Sequence, residues 1–318
     1  MHTVFEESKL NKKIWILGSS NIDITYKVKE IPVKGSTIQA ESCVKASGGK
    51  GANQAIAAAR WGVDTFLIGA VGDDENGQLL INVLKSWNVN TDYVSVAKNI
   101  PSGNAIIFVD NEGANCITVY PGANQYLPCD KCPDFGSKDL LIAQFEVNID
   151  SVEFFFEYAK KRGTYTILNP SPFKSISEYL LKSTDMIIAN EIEAYKLGGI
   201  TVDTPLKAKE CGKKIIKSGP ETVLITLGKM GVVVVTDEHA VHIPEYPVKV
   251  VDTQGAGDTF LGTFAAMLCN GKTLENAAQY ANIVAALSVT KKGSTQVSLP
   301  SQDISEKEVA NLTKIILD

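Results

Sequence analysis

The chain has 318 residues, 44% of them hydrophobic and 21% charged, and a formal net charge of −5. That length can bury a large core as one big α/β domain or two modest ones, while the acidic balance argues against a polyanion bound over an extended surface, so nucleic acid is not an expected partner. The stretch from Met1 to Lys13 is polar, and no run of about 18 apolar residues occurs. The expectation is a cytoplasmic protein without membrane contact.

In chain order, the first buried strand is expected at Ile14 to Leu17, followed by the polar, glycine-led run Gly18-Ser19-Ser20-Asn21-Ile22-Asp23. Residues from Ile22 to Ala46 read as extended chain. Gly48-Gly49-Lys50-Gly51-Ala52-Asn53-Gln54-Ala55 then opens an alanine-rich helix running to Trp61. Paired glycines let the backbone approach a ligand, and Lys50, Asn53 and Gln54 offer donors to sugar hydroxyls or phosphate. The plain alternative is a glycine turn before a helix. The stretch is not a Walker A loop, because glycine rather than Ser or Thr follows Lys50.

Further strands are expected at Thr65 to Gly69, Leu140 to Ala143, Tyr165 to Leu168, Met186 to Ala189 and Val223 to Thr226, alternating with helical patterns. That rhythm indicates a doubly wound, mostly parallel sheet flanked by helices. Just past these strands stand Gln144, Glu146, Asn169, Asn190 and Leu227-Gly228, at the carboxyl edge where open α/β sheets bind ligands. Asn104 to Tyr120 interrupts the rhythm as a hairpin with Asp110-Asn111-Glu112-Gly113 at its turn. The apolar succession Ile106 to Val109 suggests a strand covered on both faces, one of them by a partner. No linker or repeat divides the chain, so residues 1–318 are expected to form a single domain with a small projecting sheet built from about 22–46 and 104–120.

Asn190-Glu191-Ile192-Glu193 has the spacing of a capping box, and equally of a carboxylate orienting Mg²⁺ through its waters. Thr226-Leu227-Gly228-Lys229-Met230-Gly231 is a hairpin turn, or a set of backbone groups and a lysine for nucleotide phosphates. Asp252-Thr253-Gln254-Gly255-Ala256-Gly257-Asp258-Thr259-Phe260 joins a strand end to a helix whose apolar residues continue through Phe264 and Leu268. Small residues there let successive N–H groups converge on an anion. Asp258 beside that anion reads either as a helix cap or as an acceptor for the proton of a hydroxyl attacking phosphorus. A final helix, Leu274 to Val289, carries Asn282 in an alanine-rich face.

Six cysteines are scattered over a chain too long to need stapling and are read as reduced thiols; Cys129-Asp130-Lys131-Cys132 alone is weak evidence for a metal site. Of three histidines, His239 and His242 read as exposed residues flanking a hairpin. Only Arg60 and Arg162 supply arginine, which disfavours a substrate already carrying a phosphate. A dinucleotide-dependent oxidoreductase is disfavoured because the first strand–helix turn lacks G-x-G-x-x-G.

The motifs in this order, from Gly18 to about Pro300, resemble the PfkB carbohydrate kinase family and, within it, the ribokinase branch. The resemblance implies ATP-dependent phosphorylation of D-ribose at O5, with Asp258 as general base and Gly255, Ala256 and Gly257 as the anion hole. It implies sugar contacts from Asn21, Asp23, Gly49, Lys50, Gly51, Ala52, Asn53 and Glu146. Nucleotide contacts would come from Asn190, Thr226, Leu227, Gly228, Lys229, Met230, Gly231, Gly257 and Asn282, with Glu193 serving Mg²⁺ through water. A potassium ion is implied beside the anion hole at Asp252, Gln254, Ser288, Lys291, Gly293 and Ser298, in a stretch one residue longer than the family's usual spacing before Pro300. The projecting sheet is implied to be a lid over the sugar and the contact of a homodimer. Within the same family, a deoxyribokinase, a fructokinase or a nucleoside kinase is the alternative; outside it, a catalytically inactive sugar-sensing module.

Overall fold

A computed structural model describes residues 12–126, 132–291, 304, 309 and 311–317. In β1 (Ile14–Leu17) all four residues are buried, and the period of two splits them between two cores: Ile14 and Ile16 enter one cluster, Trp15 and Leu17 the other. A strand with both faces covered belongs in the interior of a parallel sheet. β1 accordingly lies between β4 (Thr65–Gly72) and β8 (Leu140–Ala143), parallel to both.

From this centre the chain winds both ways. β5 (Val89–Ala97) extends the sheet beyond β4, while β9 (Tyr165–Leu168), β10 (Met186–Asn190) and β11 (Thr222–Thr226) extend it beyond β8, all parallel. β12 (Val232–Thr236), β13 (Ala240–Ile243) and the short β14 (Ile315–Ile316) complete a ten-stranded sheet through antiparallel pairs. The winding reverses between β1 and β8, and the carboxyl ends of strands at such a switch point leave a crevice for ligands.

Helices α1 (Lys50–Ala59), α2 (Glu75–Ser86), α7 (Ala256–Cys269) and α8 (Leu274–Ser288) contribute to one core. The opposite face is covered by α3 (Ile149–Lys160), α4 (Glu178–Lys182), α5 (Glu191–Gly198) and α6 (Pro205–Ile216). α1 ends two residues before the expected Trp61, whose backbone N–H instead closes a turn onto Ala58. None of these helices is long and apolar enough to cross a membrane.

The projecting sheet is present in the order β3-β2-β6-β7, from β2 (Asn21–Lys27), β3 (Ser42–Gly48), β6 (Gly103–Val109) and β7 (Asn115–Tyr120). Extended chain was expected from 22 to 46, but residues 28–41 lie outside the strands. The Asp110 carboxylate closes the β6–β7 turn by accepting from Glu112 and Ala114 N–H, 2.9 Å each. All of β7 is exposed, including Ile117 and Val119, as is Val44 of β3. Ile107 is buried, while Ile106, Phe108 and Val109 are half-buried.

The histidine expectation needs correction. His239 and His242 are half-buried rather than exposed: His239 Nε2 lies 3.1 Å from Glu275 Oε1, and His242 Nε2 lies 2.7 Å from the Met230 carbonyl. Cys129 lies outside the described residues, and Cys43, Cys116, Cys211 and Cys269 are not in disulfides.

Candidate active site

Of the helices α1 to α8, six carry a side-chain cap at their N-terminus; α1 and α7 do not. Their N-cap residues are Gly49 (φ +93°) and Gly255 (φ +76°), conformations that admit glycine with little strain. A helix start leaves its first N–H groups without intrahelical partners and carries partial positive charge. In α7 the Ala256 N–H turns back to Thr253 O at 3.3 Å, while Gly257 faces open space, with nothing within 4 Å of where a Cβ would stand. The uncapped end of α7 is therefore suited to an anion.

Asp258 is the third residue of α7, whose N-cap is Gly255, so its side chain does not cap the helix. Its carboxylate is only 6% exposed and is held from α1: Gln54 Nε2 donates to Oδ1 at 2.9 Å, and Asn53 Nδ2 to Oδ2 at 3.3 Å. The two helices can approach this closely because Gly262 faces α1, where a Cβ would stand 2.4 Å from Gln54 O and 2.6 Å from Ala57 Cβ. Gln54, read from sequence as a ligand donor, thus points at Asp258 instead.

Around this carboxylate the strand ends gather further charge. Glu146 Oε2 accepts from Ser19 Oγ at 2.5 Å and from the Lys50 N–H at 3.0 Å. Asp258 beside the Lys50 ammonium holds it above the usual lysine range, against the effect of burial, and Glu146 and Glu193 add to the rise. Burial pushes the Asp23 carboxyl up to about 6, with the charges of Glu146 and Asp258 contributing. Asp23 lies against Gly48, where a Cβ would clash with its carboxylate. Asn21, buried, accepts from Asn124 Nδ2 at 2.7 Å, and Asn124 Oδ1 accepts from the Ser20 N–H at 2.9 Å. This arrangement turns the Asn21 amide nitrogen away from Asn124, available as a donor.

Asn21, Asp23, Gly49, Lys50, Gly51, Ala52, Asn53 and Glu146 thus occupy the β1 and β8 strand ends, the root of β2 and the first turn of α1. The Ala52 N–H is spent on Ser19 O at 2.9 Å. Among the described residues, four buried side-chain polar atoms have no partner, Ser20 Oγ, Asn53 Oδ1, Gln144 Oε1 and Thr259 Oγ1. All belong to this neighbourhood, as expected where a polar ligand or ordered water completes the bonding. Ser19 and Asn124 were not singled out from sequence; their roles depend on partners 127 and 103 residues away.

On the other side of the α7 N-terminus lies a cavity of about 280 Å³, lined by Thr226, Gly228, Lys229, Gly231, Ala256, Gly257 and Asn282 together with Tyr246 and apolar residues of α8. It brings most of the expected nucleotide residues together with the start of α7. Asn282 Nδ2 donates to Pro244 O at 2.7 Å, fixing its amide in the wall. Leu227 and Met230 do not line it: Leu227 is buried and Met230 packs on the second core. Asn190 is also off the lining, although it pairs in register with Thr226.

Asn190 and Glu193 do form a capping box, Asn190 Oδ1 accepting from Glu193 N–H at 2.9 Å and Glu193 Oε2 from Asn190 N–H at 3.0 Å. Glu193 is buried and its charge acts on Lys50. A carboxylate already engaged in this way suits a water-mediated role toward Mg²⁺ better than direct ligation. On the potassium side, Val289 O accepts from both Val251 and Asp252 N–H, at 2.7 and 3.1 Å, bringing Asp252 against the end of α8. The Ser288 hydroxyl is spent on Ala285 O, so a cation there would meet its carbonyl. Gln254 and Lys291 are exposed. Gly293 and Ser298 lie outside the described residues.

A doubly wound sheet whose switch point carries a polar, carboxylate-rich cluster beside an uncapped helix start and a cavity has the layout of a sugar phosphotransferase. The chain belongs to the pfkB family of carbohydrate kinases, whose profile matches residues 11–302. Ribokinase from Staphylococcus aureus is 37% identical over 297 residues, 92% of this chain and 97% of that one. Deoxyribokinase from Salmonella typhimurium is 34% identical over 293 residues, 91% and 95% of the two chains. Among solved structures, ribokinase from Arabidopsis thaliana complexed with ribose and ATP superposes with a TM-score of 0.85 at 30% identity, covering 94% of this chain and 97% of that one.

Proposed function

We propose that this kinase transfers the γ-phosphoryl group of ATP to the 5-hydroxyl of D-ribose, with Asp258 as general base. The observation that carries the reading is the position of the buried Asp258 carboxylate, at the uncapped start of α7 between the carboxylate-rich pocket and the cavity reaching Gly257. The attacking oxygen gives its proton to Asp258 and bonds to the γ-phosphorus; the bond to the β–γ bridging oxygen breaks and ADP leaves. The N–H groups at Gly257 and Asp258 receive charge on the transferring group. Asn21 and Asn53 orient sugar hydroxyls, Asp23 and Glu146 accept from them, and the Lys50 ammonium balances the three carboxylates.

Glu193 would hold Mg²⁺ through its water shell, where the ion supplies charge neutralisation on the nucleotide phosphates. Asp252 and the Ser288 carbonyl would hold potassium, which supplies fixed positive charge behind the anion hole. ATP as co-substrate and D-ribose as acceptor are supported by the ribose- and ATP-bound structure named for the Arabidopsis protein. The rival acceptor is 2-deoxy-D-ribose, given the similarity to a deoxyribokinase. The amide donor presented by Asn21 favours ribose, since a deoxy position would leave a buried donor without its acceptor.

An ADP-release assay over ribose, deoxyribose, fructose and adenosine, with and without potassium, tests this. Ribose is expected to give the highest kcat/KM, exceeding deoxyribose by about ten-fold or more. Equal or better turnover of deoxyribose or adenosine overturns the assignment.

Asp23 gives the reaction a pH dependence. Its raised pKa means that the sugar-free fold retains the proton up to about pH 6. The stability this gives is complete below the unfolded value and is lost as pH rises through about 6. Sugar hydroxyls donating to the ionised carboxylate pull the other way, so binding expels the proton. The ribose Kd is expected to rise about ten-fold between pH 7 and pH 5. Calorimetry in buffers of different ionisation enthalpy should register proton release near pH 6, and a flat Kd would remove Asp23 from this role.

A further inference from the structure

Behind Asp258 stands a set of side-chain amides, two buried and one half-buried, that the phosphoryl-transfer reading leaves unused. Asn169 follows β9, Gln144 follows β8, and Gln54 lies in α1; Gln54 and Gln144 are both fully buried. Asn169 Nδ2 donates to the Ile188 carbonyl at 2.9 Å. A backbone carbonyl only accepts, so the Asn169 amide has one orientation and its Oδ1 must face Gln54. Gln54 Nε2 meets that oxygen at 3.4 Å and Asp258 Oδ1 at 2.9 Å. Both are acceptors, so Gln54 presents its NH₂ to them and its oxygen to the other side. There Gln144 Nε2 donates to Gln54 Oε1 at 2.5 Å. Gln144 itself rests on Gly18, where a Cβ would stand 2.3 Å from its Oε1.

Gln54 is fixed in polarity by its neighbours on both sides, and the Asn169 end of the series is anchored on a backbone carbonyl of β10. A flipped Gln54 would point its oxygen at a carboxylate and at the Asn169 oxygen, and would strand the Gln144 donor. Such a buried mismatch is costly, so the flipped state is suppressed. The Asp258 carboxylate is thereby held by a donor whose direction is set by strands β8, β9 and β10 rather than by the exposed α7 turn. Asn53, which also donates to Asp258, has no hydrogen-bond partner on its own oxygen and so no neighbour that fixes its direction.

We infer that Gln54 and Gln144, backed by Asn169, form a positioning relay that aims the Asp258 carboxylate at the acceptor hydroxyl, Gln144 acting only through Gln54. This rests on the reading of Asp258 as general base. The relay touches neither the cavity lining nor the charged cluster of Asp23, Glu146 and Lys50, so its loss is felt in the chemical step and not in binding.

The test is a set of double-substitution cycles, with kcat from ADP release, ribose Kd from calorimetry and folding from thermal unfolding. Gln54→Leu and Gln144→Leu are each expected to lower kcat about 10- to 30-fold, by misaiming the base, with ribose Kd within about two-fold of the parent. The Gln54→Leu/Gln144→Leu double variant should be no slower than Gln54→Leu, and Gln54→Leu should have no further effect in an Asp258→Asn background. If Gln54→Leu fails to fold, Gln144→Met, close in volume and without the donor, carries the same expectation. Multiplicative effects in either cycle, a loss expressed in Kd, or an unchanged kcat would overturn the relay. An inactive Asp258→Asn beside a fully active Gln54→Leu sinks the relay alone; a near-normal Asp258→Asn sinks the base and the relay together.

Discussion

Asp258→Asn is expected to lower kcat ~10²- to 10⁴-fold, the range over which a positioned general base contributes, while ribose Kd stays within about three-fold. The substitution removes one negative charge from a site that also holds Asp23 and Glu146, so sugar binding has no electrostatic reason to weaken. Folding is affected less than turnover but not spared. Both carboxylate oxygens accept from amide nitrogens, Gln54 on one and Asn53 on the other, and an asparagine must set its own NH₂ against one of those donors. That mismatch costs about 1–3 kcal/mol. Steady-state ADP release, calorimetry and thermal unfolding separate the three quantities; turnover within about three-fold of the parent would refute the assignment of the base.

Gly51→Val should be the most damaging single change in the sugar loop. A Cβ at Gly51 would lie 2.5 Å from Gly18 C, 2.6 Å from Ser19 N and 2.7 Å from Gly18 Cα. All three are backbone atoms at the end of the central strand, so no rotamer relieves the contact, and α1 must move away from β1. Overpacking of this kind costs about 1–3 kcal/mol and occasionally more. Moving α1 also displaces Asn53 and Gln54 from Asp258, and a misplacement near 1 Å can cost ~10²-fold in rate. The expected result is a lower Tm, with kcat/KM of the remaining folded enzyme reduced ~10²-fold or more. Parental stability and activity would show that the loop accommodates a side chain and that the close approach is not required.

The buried strands were legible in the sequence because each is a short apolar run bounded by polar residues, and the six expected runs all appear, three of them with the expected ends. The turns that open α1 and α7 were legible because glycines cluster at both helix starts. What the sequence left open was orientation. Whether Asp258 capped its helix could not be read from Gly255 to Asp258, since the answer lies in amides 204 and 205 residues earlier. The purpose of Gln54 was hidden for the same reason, its partner Gln144 being 90 residues away. Leu227 and Met230 sat inside a motif whose backbone reaches the cavity, yet their apolar side chains turn to the core. The half-burial of the two histidines follows from contacts to Glu275 and Met230, which no local pattern announces.

The roots of the projecting sheet have a mechanical consequence. β2 begins at Asn21 and carries Asp23, while β3 ends at Gly48, one residue before the loop that opens α1. β6 begins at Gly103, pressed against the contacting amides of Asn21 and Asn124. The projecting sheet is therefore not hinged beside Asn21, Asp23 and Gly48; it is rooted in them. Its tilt is tied to the positions of Asn21 and Asp23, so on the proposed reading a sugar held by both residues would also set the angle at which the sheet stands.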